Sequence, residues 1–251
     1  MRVFLLGASR NVGYSVTRRL LANGHTCTLL LRRTEAIESD AALSLYIADG
    51  RLKLARGDGL IEADVQQAWN MAKGDGEVDA VYFGIGGEPE FKFTKGFVVS
   101  PGDLTERCMT VLLSVIQSST TLSTRPKLVT ITSNGLDRQT KSLLPLPLKL
   151  MYSWLLHVPH LDKIQQENAV KRAAGWEGGE GWLGAQNVVI VRPSMFTSGE
   201  CVADKKEDAY RIGEGLKSAW TVSRADVGHF VAEKVLEDWG TWAGKAWVIS
   251  Y

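Results

Sequence analysis

One short stretch constrains this chain more than any other. Four apolar residues, Val3-Phe4-Leu5-Leu6, run directly into Gly7-Ala8-Ser9-Arg10-Asn11-Val12-Gly13, and Val16, Leu20 and Leu21 then follow at helical spacing. Strand, glycine turn and helix in that order open a parallel α/β unit. Gly7 permits a tight exit from the strand, and Gly13 lets the helix approach the sheet closely. Backbone N–H groups at such a helix start, helped by the helix dipole, suit a pyrophosphate. Asn11 stands where the usual pattern has a central glycine, and asparagine tolerates left-handed backbone better than most residues. Gly7, Ser9, Arg10, Asn11, Val12 and Gly13 are the expected nucleotide cradle.

The same alternation continues along the chain. Thr26–Leu31 is a buried strand that stops at Arg32-Arg33, after the helix-stop signal Asn23-Gly24. Leu52–Ala55, Ala80–Phe83, Leu128–Ile131, Val188–Val191 and Ala246–Ile249 are further strands. Asp64–Ala72, the stretch carrying Leu104, Cys108, Leu112, Val115 and Ile116, Pro159–Ala174 and Ala225–Glu237 are helices. This order predicts a doubly wound, mainly parallel sheet in a single domain over 1–251, with a small C-terminal substrate-binding region. The segment 175–184 carries five glycines in ten residues and is expected to be a loose surface insertion.

Composition narrows the function. Lys plus Arg is 29 and Asp plus Glu is 28, a net charge of +1, which argues against a nucleic-acid partner. At 45% apolar and 23% charged, the chain has the composition of an ordinary globule. Cys27, Cys108 and Cys201 are odd in number and far apart, so neither a disulfide framework nor a metal site is expected. The N-terminal apolar run is too short for a signal peptide, and a reducing cytoplasm is the expected compartment. The longest apolar stretch, Leu143–Leu161, is broken by three prolines and Lys149, so no membrane span is expected. A hydrophobic flap over a ligand, or a contact with a partner or membrane surface, are its open readings. A monomer or homodimer is expected.

The end of the second strand selects the nucleotide. An acidic residue there would hold a ribose 2′-hydroxyl. This chain instead has Arg32 and Arg33, with Arg10 nearby in the glycine turn. Guanidinium forks match a 2′-phosphate, so NADP(H) is expected over NAD(H).

Further along, Gly57-Asp58-Gly59-Leu60, Gly84-Ile85-Gly86-Gly87, Thr132-Ser133, Val189-Ile190-Val191-Arg192-Pro193 and Ser223-Arg224-Ala225-Asp226-Val227-Gly228-His229-Phe230 complete a pattern. With the opening turn, it resembles the short-chain dehydrogenase/reductase superfamily, in its atypical NmrA-like or biliverdin/flavin-reductase-like branch. The resemblance implies a Rossmann-type fold. It also implies cofactor contacts from Asp58, Gly59, Leu60, Gly84, Ile85, Gly86, Ser133, Lys163 and Pro193.

The departure from that family matters as much as the match. Its main branch carries a tyrosine four residues before a lysine, which places both on one helical face, about 40° apart. Here Lys163 fits the lysine, but Pro159 stands four residues earlier. His160, three residues before Lys163, could donate a proton because an imidazole ordinarily titrates near neutral pH. His157, just outside the expected helix start, and Tyr152, in the apolar stretch, are further candidates, with packing as the alternative for each. Ser133 could bond a substrate oxygen or the nicotinamide amide. Trp154, Trp176, Trp182 and Trp220 could line a pocket for a flat apolar substrate.

Related reductases manage without the tyrosine–lysine pair, and their acceptors are broad conjugated rings. The expected activity is NADP(H)-dependent reduction of a conjugated or carbonyl-containing apolar small molecule. The cleft is expected between segments 133–161 and 194–222. The alternatives are a dinucleotide-sensing regulatory protein and a non-redox isomerase, epimerase or dehydratase.

Overall fold

The N-terminal apolar run forms β1 (Arg2–Leu6), whose side chains alternate between two cores. Val3 and Leu5 face one, Phe4 and Leu6 the other. Burial on both faces explains why the run shows no polar alternation. The structure, a computed structural model, describes residues 1–87, 90–92, 96–154 and 156–251, without the side chains of 91, 92, 96, 150 and 152–154.

After β1 come α1 (Asn11–Ala22), β2 (Thr26–Leu31), α2 (Glu35–Glu38), α3 (Ser44–Ala48), β3 (Leu52–Arg56), α4 (Glu62–Lys73) and β4 (Ala80–Phe83). A hairpin of β5 (Glu90–Lys92) and β6 (Gly96–Val98) precedes α5 (Leu104–Ser119), β7 (Lys127–Ile131), α6 (Arg138–Leu143), α7 (Leu146–Trp154) and α8 (His157–Ala174). The chain ends with β8 (Val188–Pro193), β9 (Met195–Thr197), β10 (Arg211–Gly213), β11 (Thr221–Ser223), α9 (Arg224–His229), α10 (Trp239–Trp242) and β12 (Lys245–Ser250).

Eight strands form one sheet in the order β3-β2-β1-β4-β7-β8-β12-β10. Every neighbouring pair is parallel except β10 with β12. This is the expected doubly wound, Rossmann-type α/β fold. The chain winds outward from β1 in both directions, so a crevice opens between the carboxyl ends of β1 and β4, where ligands bind in such sheets. One face of the sheet is covered by Val12, Val16 and Leu20 of α1 with Val227, Phe230 and Val231. The other is covered by Val65 and Trp69 of α4, Cys108, Leu112 and Ile116 of α5, and Val170 of α8. All three cysteines are free and buried. No helix among the described residues is long and apolar enough to cross a membrane.

Two expectations change. The helix expected over Ala225–Glu237 is α9 followed by a π-helical turn, Phe230–Val235. That wider turn buries the consecutive residues Phe230, Val231 and Ala232 together. The long apolar stretch contains α7 and the first turn of α8. That turn begins at His157, two residues earlier than expected. Pro159 is tolerated in it because the first helical N–H groups have no intrahelical acceptor.

The glycine-rich segment 175–184 is anchored at both ends, while 177–180 are exposed, as expected of a surface insertion. Gly175 ends α8 in the left-handed conformation (φ 80°). The Leu183 N–H donates to the Ala173 carbonyl at 2.8 Å, and the Leu183 side chain is fully buried. Trp176 and Trp182 pack on the α8-side core, at the end of that helix remote from Lys163, so they do not line the site. Trp220 is exposed, and the Trp154 side chain lies outside the described residues. A Cβ on Gly181 would stand 2.1 Å from the Gly175 nitrogen, whereas one on Gly179 would meet nothing within 4 Å. Gly181→Ala should therefore lower stability by about 1–3 kcal/mol, while Gly179→Ala stays within about 0.5 kcal/mol. Urea unfolding measures both, and a loose loop would make the two variants equal.

Candidate functional site

The crevice is built first from backbone. Gly7 leaves β1 with φ 76°, and a Cβ there would lie 2.4 Å from both the Gly84 carbonyl carbon and the Ile85 nitrogen. The exits of β1 and β4 thus touch, which only a glycine at position 7 permits. A Cβ on Gly13 would lie 2.4 Å from the Gly7 carbonyl oxygen, so α1 sits directly on the turn. Asn11 adopts φ 57°, the left-handed conformation that asparagine tolerates better than most residues. The N-cap position is Arg10, whose side chain makes no capping bond, and no acidic residue occupies the first turn of α1. The helix start is therefore left to an outside anion. This cradle fits the pyrophosphate of a dinucleotide.

The flanking residues assemble around it. Arg32 and Arg33 are exposed just past the end of β2. Beyond β3, Asp58 accepts from its own loop through the Leu60 N–H at 2.9 Å, and its N–H donates to Asp64 at 2.8 Å. Gly59 is buried where a Cβ would meet Ile85 Cδ1 at 3.0 Å and Cys108 Sγ at 3.3 Å. Gly86 is exposed with open space around it. The Tyr82 hydroxyl, buried beside Gly84, has no hydrogen-bond partner within the described protein.

Lys163 occupies the floor at the ends of β4 and β7. Its Nζ donates to the Ile85 carbonyl (2.9 Å), the Ile131 carbonyl (3.3 Å) and Gln166 Oε1 (2.7 Å). Burial lowers its pKa to about 8. Gln166 in turn donates to Thr130 Oγ1 at 2.7 Å. One helical step further, buried Glu167 accepts from Thr132 Oγ1 (2.7 Å) and from Arg192 through Nε (2.9 Å) and Nη2 (2.5 Å). Arg192, next to buried Pro193, also bonds Asp137, which caps α6. This buried network ties β7, β8 and α8 to the loop that begins at Ser133. Asp162, also buried, caps α5 through the N–H groups of Thr105 (3.0 Å) and Glu106 (2.9 Å).

The structure brings two of the candidate catalytic residues together. Ser133 Oγ lies 3.3 Å from His160 Nε2 and the same distance from the Asn134 carbonyl. The surroundings of His160 oppose a charge on its ring. Burial first, then the nearby Lys141 and His157, lowers its pKa to about 4. His157 is the exposed first residue of α8, not a residue outside it. Tyr152 belongs to α7, and its side chain lies outside the described residues. On the far wall, Ser223 caps α9, its hydroxyl accepting from the Asp226 N–H at 2.9 Å and donating to the Asp226 carboxylate at 2.7 Å. Asp226 also holds the Val202 (3.2 Å) and Ala203 (2.9 Å) N–H groups and the Tyr251 hydroxyl (2.5 Å), which fixes the segment after β9.

Sequence reasoning missed Gln166, Glu167, Asp162 and Asp137. Gln166 and Glu167 lie three and four residues after Lys163, so helical spacing alone places them on its face. Asp162 and Asp137 cap helices in trans or beyond a turn, and no local pattern marks Asp162.

A family model described as NAD(P)H-binding matches residues 7–238, from the glycine turn to beyond the π-helical segment. The chain belongs to the NAD(P)H-binding family. Among curated proteins it is 28% identical to the reductase pytE of Aspergillus terreus, over 99% of this chain and 97% of that protein. It is 32% identical to the oxidase pynE of Aspergillus niger, over 51% of this chain and 44% of that protein. The structure superposes on the anaerobillin reductase ChuY of Escherichia coli O157:H7 with a TM-score of 0.64 and 13% identity, covering 99% and 96% of the two chains. That likeness concerns the fold, and it agrees with the resemblance drawn from the motifs.

The depressed His160 pKa carries a stability signature. Between its usual value near 6.5 and the lowered value near 4, the unfolded chain binds a proton that the folded chain does not. Acidification through that window should lower stability by up to about 1.4 kcal/mol per pH unit from this residue alone. His160→Gln should lose that part of the slope in urea unfolding at a series of pH values. Identical slopes would mean that His160 titrates normally.

Proposed function

We propose that this protein is an NADP(H)-dependent reductase acting on an apolar small molecule with a conjugated or carbonyl acceptor. The observation that carries the reading is the uncapped glycine cradle, with two exposed arginines at the neighbouring strand end and Ser133 and Lys163 at the ends of β4 and β7. The dinucleotide, when bound, supplies a hydride. Gly7, Ser9, Arg10, Asn11, Val12 and Gly13 hold its pyrophosphate through backbone groups. Arg32 and Arg33, with Arg10, take the 2′-phosphate. Asp58, Gly59 and Leu60 shape the adenine side, and Gly84, Ile85, Gly86 and Pro193 flank the nicotinamide side.

Lys163 acts on the ribose side through the floor it braces, since its three N–H groups already serve Ile85, Ile131 and Gln166. The reductase name of the full-length relative pytE supports the direction of transfer. An apolar acceptor suits the small cluster of Leu144 and Leu148, with Met151 and Leu156 packed on it, in the segment between Ser133 and His160.

Fluorescence titration tests the cofactor. Wild-type protein should bind NADPH more tightly than NADH. The Arg32→Ala, Arg33→Ala double variant should lose at least about tenfold in NADPH affinity, one charge-assisted contact's worth, with NADH affinity unchanged. Equal wild-type affinities would sink the assignment. Turnover is tested by following NADPH absorbance against quinones, enones and flavins. Tight NADPH binding without turnover across the panel would favour the dinucleotide-sensing reading. Conversion of a substrate without NADPH consumption would favour an isomerase, epimerase or dehydratase.

A further inference from the structure

Arg10, at the N-cap of α1, and Tyr14 and Arg18 within it follow one another at four-residue spacing, so they share one side of the helix. The guanidinium carbon of Arg18 lies 5.9 Å from the centre of the Tyr14 ring. The Tyr14 hydroxyl donates to Asp40 Oδ2 at 2.5 Å. The other carboxylate oxygen, Oδ1, accepts from the Ala42 N–H at 2.8 Å. The bond from Tyr14, then the one from Ala42, holds the Asp40 carboxyl below its usual range.

Asp40 joins α2 to α3. Its N–H donates to the Ile37 carbonyl (3.2 Å), and its carbonyl accepts from Leu43 (3.0 Å) and Ser44 (3.1 Å). At the other end of α2, the Thr34 carbonyl accepts from Ile37 and Glu38, both at 2.9 Å. Thr34 directly follows Arg32 and Arg33. The arginine turn is held at its start by the sheet, where the Gly57 N–H donates to the Leu31 carbonyl at 2.9 Å. Its far end runs through one short helix to the residue that Tyr14 holds. Ile37 and Leu43 are buried in the same core as Val12 and Val16, which keeps the segment against α1. Apolar packing is non-directional. The Tyr14–Asp40 bond is directional, and it is made about one helical turn from Arg10.

We propose that Tyr14 and Asp40 are positioning residues for nucleotide choice: their bond sets the arginine turn after β2 at the distance from Arg10 that a 2′-phosphate needs. The proposal rests on the NADP(H) reading above. A carboxylate near a phosphate weakens binding through its charge alone. Removing that charge and removing the bond therefore have opposite effects, and variants separate them.

Isothermal titration calorimetry with NADPH, NADH and 2′,5′-ADP tests this in wild type, Tyr14→Phe, Asp40→Ala, Asp40→Asn and the Tyr14→Phe, Asp40→Ala double variant. Tyr14→Phe and Asp40→Ala should each weaken NADPH and 2′,5′-ADP about five- to tenfold, the scale of one charge-assisted hydrogen bond. NADH affinity should stay within about twofold of wild type, which shows the cradle intact. The double variant should lose no more than about twofold beyond Asp40→Ala, because both residues act through one bond. Asp40→Asn should stay within about threefold of wild type, since its amide N–H can bond the phenol oxygen.

Equal wild-type affinities for NADPH and NADH would remove the NADP(H) reading and the proposal with it. Where wild type prefers NADPH, the proposal alone is overturned by NADPH binding in Tyr14→Phe within about twofold of wild type, by equal losses for NADPH and NADH, or by additive losses in the double variant. Tighter NADPH binding in both Asp40→Ala and Asp40→Asn would show that Asp40 acts through its charge, and overturns it too.

Discussion

Everything in this molecule that concerns a ligand depends on three pieces of backbone in van der Waals contact: the Gly7 turn, the start of α1 at Gly13, and the exit of β4 at Gly84 and Ile85. A single methyl group at position 7 or 13 would overlap main-chain atoms at 2.4 Å. Because no side chains intervene, α1 can end on the crevice with its first N–H groups free of a capping side chain. The left-handed Asn11 completes the turn without a central glycine. The sheet order does the rest, since the crevice lies where the winding reverses.

The second half of the chain braces that crevice from below with buried charge. Lys163 ties the carbonyl ends of β4 and β7 together, and Glu167, one turn on, locks Arg192 and Thr132. Arg192 is almost fully buried, yet it is paired with two carboxylates, which is how a buried charge becomes tolerable. The pairing reaches Asp137 and so the start of the loop after Ser133. The position of the serine is thus set by the same network that fixes the floor. A lysine used in this way is a structural clamp.

Much of this was legible in the sequence. β1 and β4 are buried on both faces, and such strands announce themselves as unbroken apolar runs, as the second half of β2 does. The glycine turn was legible because its chemistry is local: Gly7, Asn11 and Gly13 each have a conformational reason to be there. The one-turn helices α2 and α3 are too short to show a period, and the π turn at Phe230 breaks the very period that helix reading relies on. The anchoring of 175–184 was not legible either, because glycine supplies no pattern to distinguish a tight fold-back from a slack loop. At the site, the meeting of Ser133 with His160 depends on how α7 and α8 fold back. The acceptors of Lys163 are mostly carbonyl oxygens, which no residue identity encodes. The imidazole's low pKa is a property of its surroundings, so a reading from residue type alone assigned it the ordinary value.

The central claim is that the glycine cradle holds a dinucleotide with its phosphorylated ribose at the arginine pair and its reactive ring beside Ser133. A crystal structure of the protein with NADP⁺ tests it most directly. The account predicts pyrophosphate oxygens within hydrogen-bond distance of the backbone N–H groups at 11–13, the 2′-phosphate at Arg32 and Arg33, and the nicotinamide over the ends of β4 and β7. A nucleotide bound elsewhere, or one whose 2′-phosphate points away from both arginines, would contradict it.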